Sequence, residues 1–293
     1  MAQPELRLPQ NVPGDFYVDS TCIDCDTCRF VAADVFARSE GAGMSYVRVQ
    51  PPDEGHKRAM MALVACPTAS IGSVGSGDAR EAAGLFPENL EAEVSYCGYA
   101  SEKSFGASSY FVERSDGNLL IDSPRAAGPL LKSLAERGGV RRMLLSHRDD
   151  VADHARYHER FGCERVLHAT EIGRSTRDVE VQLEITEPTP VGGEIIAIPT
   201  PGHTEGHLVY LYRDRFLFSG DHLWWSPNVG GLHASRRHCW WNWPKQIESM
   251  EALLDFSFEW VLPGHGRRWQ APSSSAMRRE IEALIGCMKA ARA

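Results

Sequence analysis

Three cysteines within seven residues, Cys22-Ile-Asp-Cys25-Asp-Thr-Cys28, constrain this chain more than any other feature. Thiols so closely spaced converge on one centre from a single loop, and a fourth, Cys66, arrives from well along the chain and is followed by Pro67. A C-x2-C-x2-C run with a distant fourth cysteine belongs to iron–sulfur ligation. The alternative is a four-thiolate zinc site, although zinc more often takes two separated C-x2-C pairs. The other cysteines, Cys97, Cys163, Cys239 and Cys287, are scattered and read as buried or free thiols. In a reducing compartment, clustered cysteines bind metal more often than they form disulfides.

The rest of the chain sets limits on partners. Its 293 residues carry a net charge of −8, which argues against nucleic acid, because a phosphate backbone calls for clustered Lys and Arg. No apolar run approaches the roughly 18 residues of a membrane helix. The opening stretch, Met1 to Asp15, lacks the apolar core of a secretory signal. A cytoplasmic protein without membrane contact is therefore expected. The Gly-, Ala- and Ser-rich segment 72–85 reads as a linker. It divides a module at 1–76 from a larger one at 77–293.

The larger module alternates short apolar runs with helical stretches, the pattern of a layered α/β architecture. Strands are expected within 108–113, 118–123, 142–146, 165–169, 194–200, 208–212, 215–221 and 260–265. Helices are expected within 126–138, 152–162 and 243–255. In the last, Ile247, Met250, Leu253 and Leu254 recur at helical spacing and give one apolar face.

Four loops that follow such runs carry His and Asp. They hold His147, Asp149, Asp150, Asp153 and His154; then His203 and His207; then Asp221 and His222; and finally His265. Each histidine alone is more often a surface or satisfied core residue. Together they offer imidazoles and carboxylates at strand ends, where loops can gather metal ligands from distant parts of a chain.

Two resemblances follow from these motifs. CIDCDTCRF with ACPTASIG, covering about the first 75 residues, is similar to the single-cluster bacterial ferredoxins. That resemblance implies an α+β ferredoxin-like module in which Cys22, Cys25, Cys28 and Cys66 hold one [4Fe–4S] cluster, with a redox partner protein. From about Val94 onward, PGHTEGH, SGD and PGHG resemble the third, fourth and fifth metal motifs of the metallo-β-lactamase superfamily. This implies an αββα metallo-β-lactamase sandwich with two divalent metal ions, zinc or iron. His203 and His265 would be ligands, Asp221 would bridge the ions, and Asp122 would support the site from beneath. The family's first motif, H-x-H-x-D-H, is altered here. His147 and the pair Asp153-His154 are present but two residues further apart, and no histidine lies between them. Asp149 keeps the H-x-ligand spacing, while Asp150 faces solvent or replaces it. The ligand set expected is therefore His147, Asp149, Asp153, His154, His203, Asp221 and His265, with Asp153 and Asp221 also catalytic.

A carboxylate in place of an imidazole is a harder ligand. The flavodiiron proteins, of the same fold, use a glutamate at the corresponding place, so a di-iron oxidoreductase fed by the cluster is one reading. The preferred reading is a metal-dependent hydrolase acting on a small-molecule thioester, ester or phosphoester, with the cluster as an accessory. The segment 223–246 carries Trp224, Trp225, Trp240, Trp241 and Trp243 with Arg236 and Arg237, and is expected over the metal site. Core packing is the simpler account of the tryptophans; for Arg236 and Arg237 an ordinary solvated face is the simpler account, and substrate or partner contact the sharper one.

Overall fold

The computed structural model describes residues 2–75 and 79–291. The chain divides into two compact units. One comprises Met1–Arg141 with Ala152–Gly162, and the other Arg142–Val151 with Cys163–Ala293. The boundary expected at 76/77 lies outside the described residues. Flanking it, Ile71–Ser73 is a strand and Ala79–Ala83 a short helix with Ala82 and Ala83 buried. The linker reading therefore missed two small elements, because residues chosen for size rather than periodicity carry no pattern.

In the first unit, Phe16–Val18 pairs antiparallel with Ile71–Ser73, closing the cysteine-bearing segment at its base. The helix Asp53–Ala65 delivers Cys66. It opens with Asp53 and Glu54, which complement the positive end of the helix dipole, and buries Ala59, Met60, Met61, Ala62 and Ala65. It stops at Cys66 because Pro67 disfavours helical backbone in the residue before it. Further on, Glu88–Glu91, Val94–Tyr96, Tyr110–Val112 and Leu119–Ile121 form an antiparallel succession. The helix Gly128–Glu136 turns Leu130 and Leu134 inward at i, i+4 spacing.

Among its described residues the second unit holds three sets of strands, the smallest being the antiparallel pair Trp224–Ser226 and Gly231–His233. Arg142–Leu144, Glu164–His168 and Val181–Leu183 run parallel. A six-stranded sheet is ordered Thr189–Gly192, Ile195–Pro199, Leu208–Tyr212, Phe216–Gly220, Trp260–Pro263 and Trp269–Gln270. Leu208–Tyr212 and Phe216–Gly220 are buried at every position, as central strands covered on both faces must be. On one face, Val209, Leu211 and Leu217 meet Ile247 and Met250 of the helix Trp243–Ala252. Met277, Ile281, Leu284 and Met288 of the helix Ser274–Ala290 join the same core. On the other face, the Tyr210 hydroxyl donates to the Leu145 carbonyl at 2.9 Å, and Leu208 N–H donates to Ser146 O at 2.9 Å. These bonds tie the loop after Arg142–Leu144 to the larger sheet. All eight expected strands and all three expected helices are present. No described helix is long and apolar enough to cross a membrane.

Met250 is fully buried in this core. Met250→Ala should cost about 2–5 kcal/mol of stability, read as a lower urea midpoint for the second unit.

Candidate metal centre and cysteine pocket

The site in the second unit is built where strands end. The loop after Arg142–Leu144 carries His147, Asp149 and Asp150; that after Ile195–Pro199 carries His203; Asp221 follows Phe216–Gly220, and His265 follows Trp260–Pro263. Asp221 lies at the centre. Its Oδ2 is 3.9 Å from His147 Nε2, 3.7 Å from His203 Nε2 and 3.9 Å from His265 Nε2. Asp149 Oδ2 lies 3.6 Å from His203 Nε2 and 3.9 Å from His147 Nε2. Asp150 Oδ1 lies 3.6 Å from His265 Nε2.

These separations are too long for hydrogen bonds. They approach the span of about 3.4 Å that two ligand atoms take across one tetrahedral ion with bonds near 2.1 Å. The ligand atoms of His147, Asp149 and His203 all lie within 4.8 Å of one another, as do those of His147, Asp150 and Asp221. Buried polar atoms left without a hydrogen bond mark the same point: His147 Nε2, His203 Nε2, Asp221 Oδ1 and both oxygens of Asp150. Leaving such groups unsatisfied is costly, and a bound cation would satisfy them together. The donor set therefore fits divalent metal.

The charges are mutually adjusted. His203 beside it is the main reason Asp149 sits below the usual carboxylate range. Burial pulls the His203 pKa down, but Asp149, Asp221 and Asp150 outweigh it and raise the pKa. Burial opposes ionisation of Asp221, yet His265, His147 and His203 hold its carboxyl low.

Supporting groups fix the loops. Ser146 Oγ and His147 Nδ1 share a 2.9 Å hydrogen bond, which leaves Nε2 facing the centre. His207 accepts the Asp221 N–H on Nε2 at 3.1 Å and bonds Thr200 Oγ1 through Nδ1 at 2.8 Å. Both its nitrogens are engaged, so it orients the Asp221 backbone rather than occupying a ligand position. Burial drives the pKa of His222 down to about 3, keeping that ring neutral. A Cβ on Gly264 would stand 2.7 Å from Asp150 Oδ2 and 3.0 Å from Asp221 Oδ1, so glycine is required between the two carboxylates.

Glu171 was not anticipated from the sequence. It is fully buried, accepts Arg148 N–H at 3.0 Å and accepts Gly206 N–H at 2.8 Å. One carboxylate thus clamps the loop of His147 to the loop of His203. A single acidic residue after a strand carries no motif, and only the tertiary fold reveals its role.

Asp153 and His154 belong to the first unit, at the start of the helix His154–Phe161. Asp153 accepts Lys103 Nζ at 2.6 Å and Ala126 N–H at 2.9 Å. Burial opposes its ionisation, but these partners overcome that effect and hold the carboxyl below its usual range. His154 is buried. Neither is in the convergent groups found among the described residues. Asp122 is buried with a left-handed backbone, φ 54°, in the first unit. Asp150, for which solvent exposure was one expectation, is 1% exposed, whereas the Asp149 side chain is 48% exposed.

The tryptophans divide between both expectations. Trp243 is buried in the core and Trp225 stacks on Trp269 at 4.6 Å. Trp240 is 64% exposed with its ring 6.0 Å from that of His203, and the backbone N–H groups of Trp240 and Trp241 both donate to the His203 carbonyl. Arg236 donates to the Ala291 carbonyl, while Arg237 is exposed.

In the first unit, Cys22, Cys25, Cys28 and Cys66 line one cavity with Val18, Ile23 and Pro67. Asp24 and Asp26 take left-handed backbone, φ 61° and 68°, which lets the loop turn its three thiols inward. The buried Arg29 pairs with both at 2.7 and 2.5 Å. Burial pushes the Cys25 thiol up to about 11 and the Cys28 thiol higher still, so thiolates here call for a cationic partner. A Cβ on Gly106 would meet Cys25 Cβ at 2.5 Å, leaving glycine to cover this loop.

Comparison with known proteins agrees with both halves. Residues 18–73 match the 4Fe-4S single cluster domain of Ferredoxin I. The hydroxyacylglutathione hydrolase of Acidiphilium cryptum is 32% identical over 127 residues, 43% of this chain and 49% of that protein. That of Rhodopseudomonas palustris strain HaA2 is 33% identical over 108 residues, 35% and 42% of the two chains. The chain thus spans about half the length, or less, of these curated relatives. Among solved structures, the BLEG-1 B3 metallo-beta-lactamase superposes with a TM-score of 0.51 at 19% identity, covering 65% of this chain and 99% of that one. The metallo beta lactamase from Hirschia baltica gives 0.52 at 17%, covering 68% and 95%. At such identity the likeness establishes fold. The chain joins a single-cluster 4Fe-4S ferredoxin-like domain to a metallo-β-lactamase fold.

Glu171→Gln should weaken metal retention in the second unit by about 10–100-fold, as loss of an outer-shell support does. Chelator competition measures this, and the visible absorption of the cluster should not change.

Proposed function

We propose that this protein is a metal-dependent hydrolase of small-molecule esters or thioesters, with a binuclear centre and an accessory [4Fe–4S] cluster. The observation that carries the reading is the shared position of Asp221, one carboxylate oxygen within 3.9 Å of three imidazole nitrogens from three loops. His147, Asp149 and His203 would hold one ion, and Asp221 would be common to both. Two bound ions would supply hydroxide near neutral pH and polarise the carbonyl under attack.

The chain's own residues would do the rest. Glu171 keeps the His147 and His203 loops in register, so that the reacting groups are prepositioned. Trp240, exposed beside His203, offers an apolar wall for the acyl group. Arg237, exposed on the same segment, would attract an anionic substrate. A thioester is favoured within this class because the relatives are named as hydroxyacylglutathione hydrolases. Their name concerns a glutathione thioester, and the substrate of this chain need share only the bond. The functional modules are taken as 1–76 and 77–293, and a redox partner would meet the cluster-bearing one.

His203→Ala should lower the non-cluster metal content and reduce thioester hydrolysis by more than about 100-fold. The visible absorption of the cluster should persist. Unchanged turnover would overturn the assignment of the centre, and loss of the cluster would overturn the two-module reading.

A further inference from the structure

Asp150 is the most anomalous charged group in the second unit. It is 1% exposed, and neither carboxylate oxygen accepts a hydrogen bond. A carboxylate removed from water without such partners is strongly destabilising, so the fold keeps it only where a positive charge compensates. His265 Nε2 lies 3.6 Å from its Oδ1. Its Oδ2 and Asp221 Oδ1 flank the bare Cα of Gly264, the position that a Cβ would fill.

We propose that Asp150, with Asp221 and His265, forms the second metal position, and that Asp153 and His154 do not serve it. This rests on the binuclear reading above and deepens it. Two observations carry it. His265 Nε2 lies 3.6 Å from Asp150 Oδ1 and 3.9 Å from Asp221 Oδ2, and ligand atoms of Asp150 and Asp221 lie within 4.8 Å of each other and of His147. Asp153 is already neutralised by Lys103 at 2.6 Å and bonded by Ala126 N–H, so it needs no ion.

Asp149 and Asp150 are consecutive, and their carboxylates part company within one loop. Asp149 turns toward His203, and Asp150 turns toward His265. Two adjacent residues thus serve two positions, and the second receives its ligand without the Asp153-His154 pair. With Asp221, Asp150 gives that position two carboxylates and one imidazole, a harder, oxygen-rich set suited to manganese or iron.

The test uses the full-length holoprotein, purified without oxygen. Non-cluster metal is counted against acid-labile sulfide, and manganese(II) is then loaded and followed by electron paramagnetic resonance. Wild type and Asp153→Asn should hold two non-cluster ions per chain and give the spectrum of a coupled manganese pair. Asp150→Asn should hold one and give an isolated manganese signal. Gly264→Ala, which crowds Asp150 and Asp221 without changing charge, should do the same and serves if Asp150→Asn does not fold. Two ions retained in either the Asp150 or the Gly264 variant, or one lost in Asp153→Asn, would overturn this assignment and leave the binuclear reading standing. A wild-type protein with no non-cluster metal would overturn both.

Discussion

Five side chains from three loops gather around the carboxylate of Asp221, and the second unit is organised to keep them there. Three imidazole nitrogens face its Oδ2 at 3.7 to 3.9 Å. Without compensation, this arrangement buries charge and unsatisfied polar atoms at one point, which a protein interior resists. The fully buried strands Leu208–Tyr212 and Phe216–Gly220 supply the rigid base from which it is built. His207, Thr200 and Glu171 then fix the backbone of the ligand-bearing loops with hydrogen bonds. A cation bound there would offset that cost, which would couple metal binding to folding.

The first unit solves a similar problem with sulfur. Its four cysteines line a cavity whose burial raises the pKa of Cys25 and Cys28, and Asp24 and Asp26 shape the loop while Arg29 balances their charge.

Much of this was legible in the sequence where the chemistry is local. Cys22, Cys25 and Cys28 declare themselves by spacing, and the eight apolar runs became strands because central strands need little beyond continuous apolar residues. His203 and His265 stood out as candidate ligands through the Pro and Gly residues around them, and Asp221 through the resemblance of its SGD segment to a metal motif. The choice between Asp149 and Asp150 was not legible, because both lie in one loop and only tertiary packing shows that both turn toward imidazoles. Asp153 and His154 matched a motif by order, but the Asp153 carboxylate is held by Lys103 and Ala126, distant in sequence. Glu171 was silent for the same reason, its two partners lying 23 and 35 residues away.

The most direct test is a crystal structure of the anaerobically purified protein, with anomalous scattering recorded at the iron, manganese and zinc edges. One strong iron peak is expected among Cys22, Cys25, Cys28 and Cys66, and two separate metal peaks sharing the carboxylate of Asp221. A single peak beside Asp221, or none, would contradict the binuclear centre on which the functional reading depends.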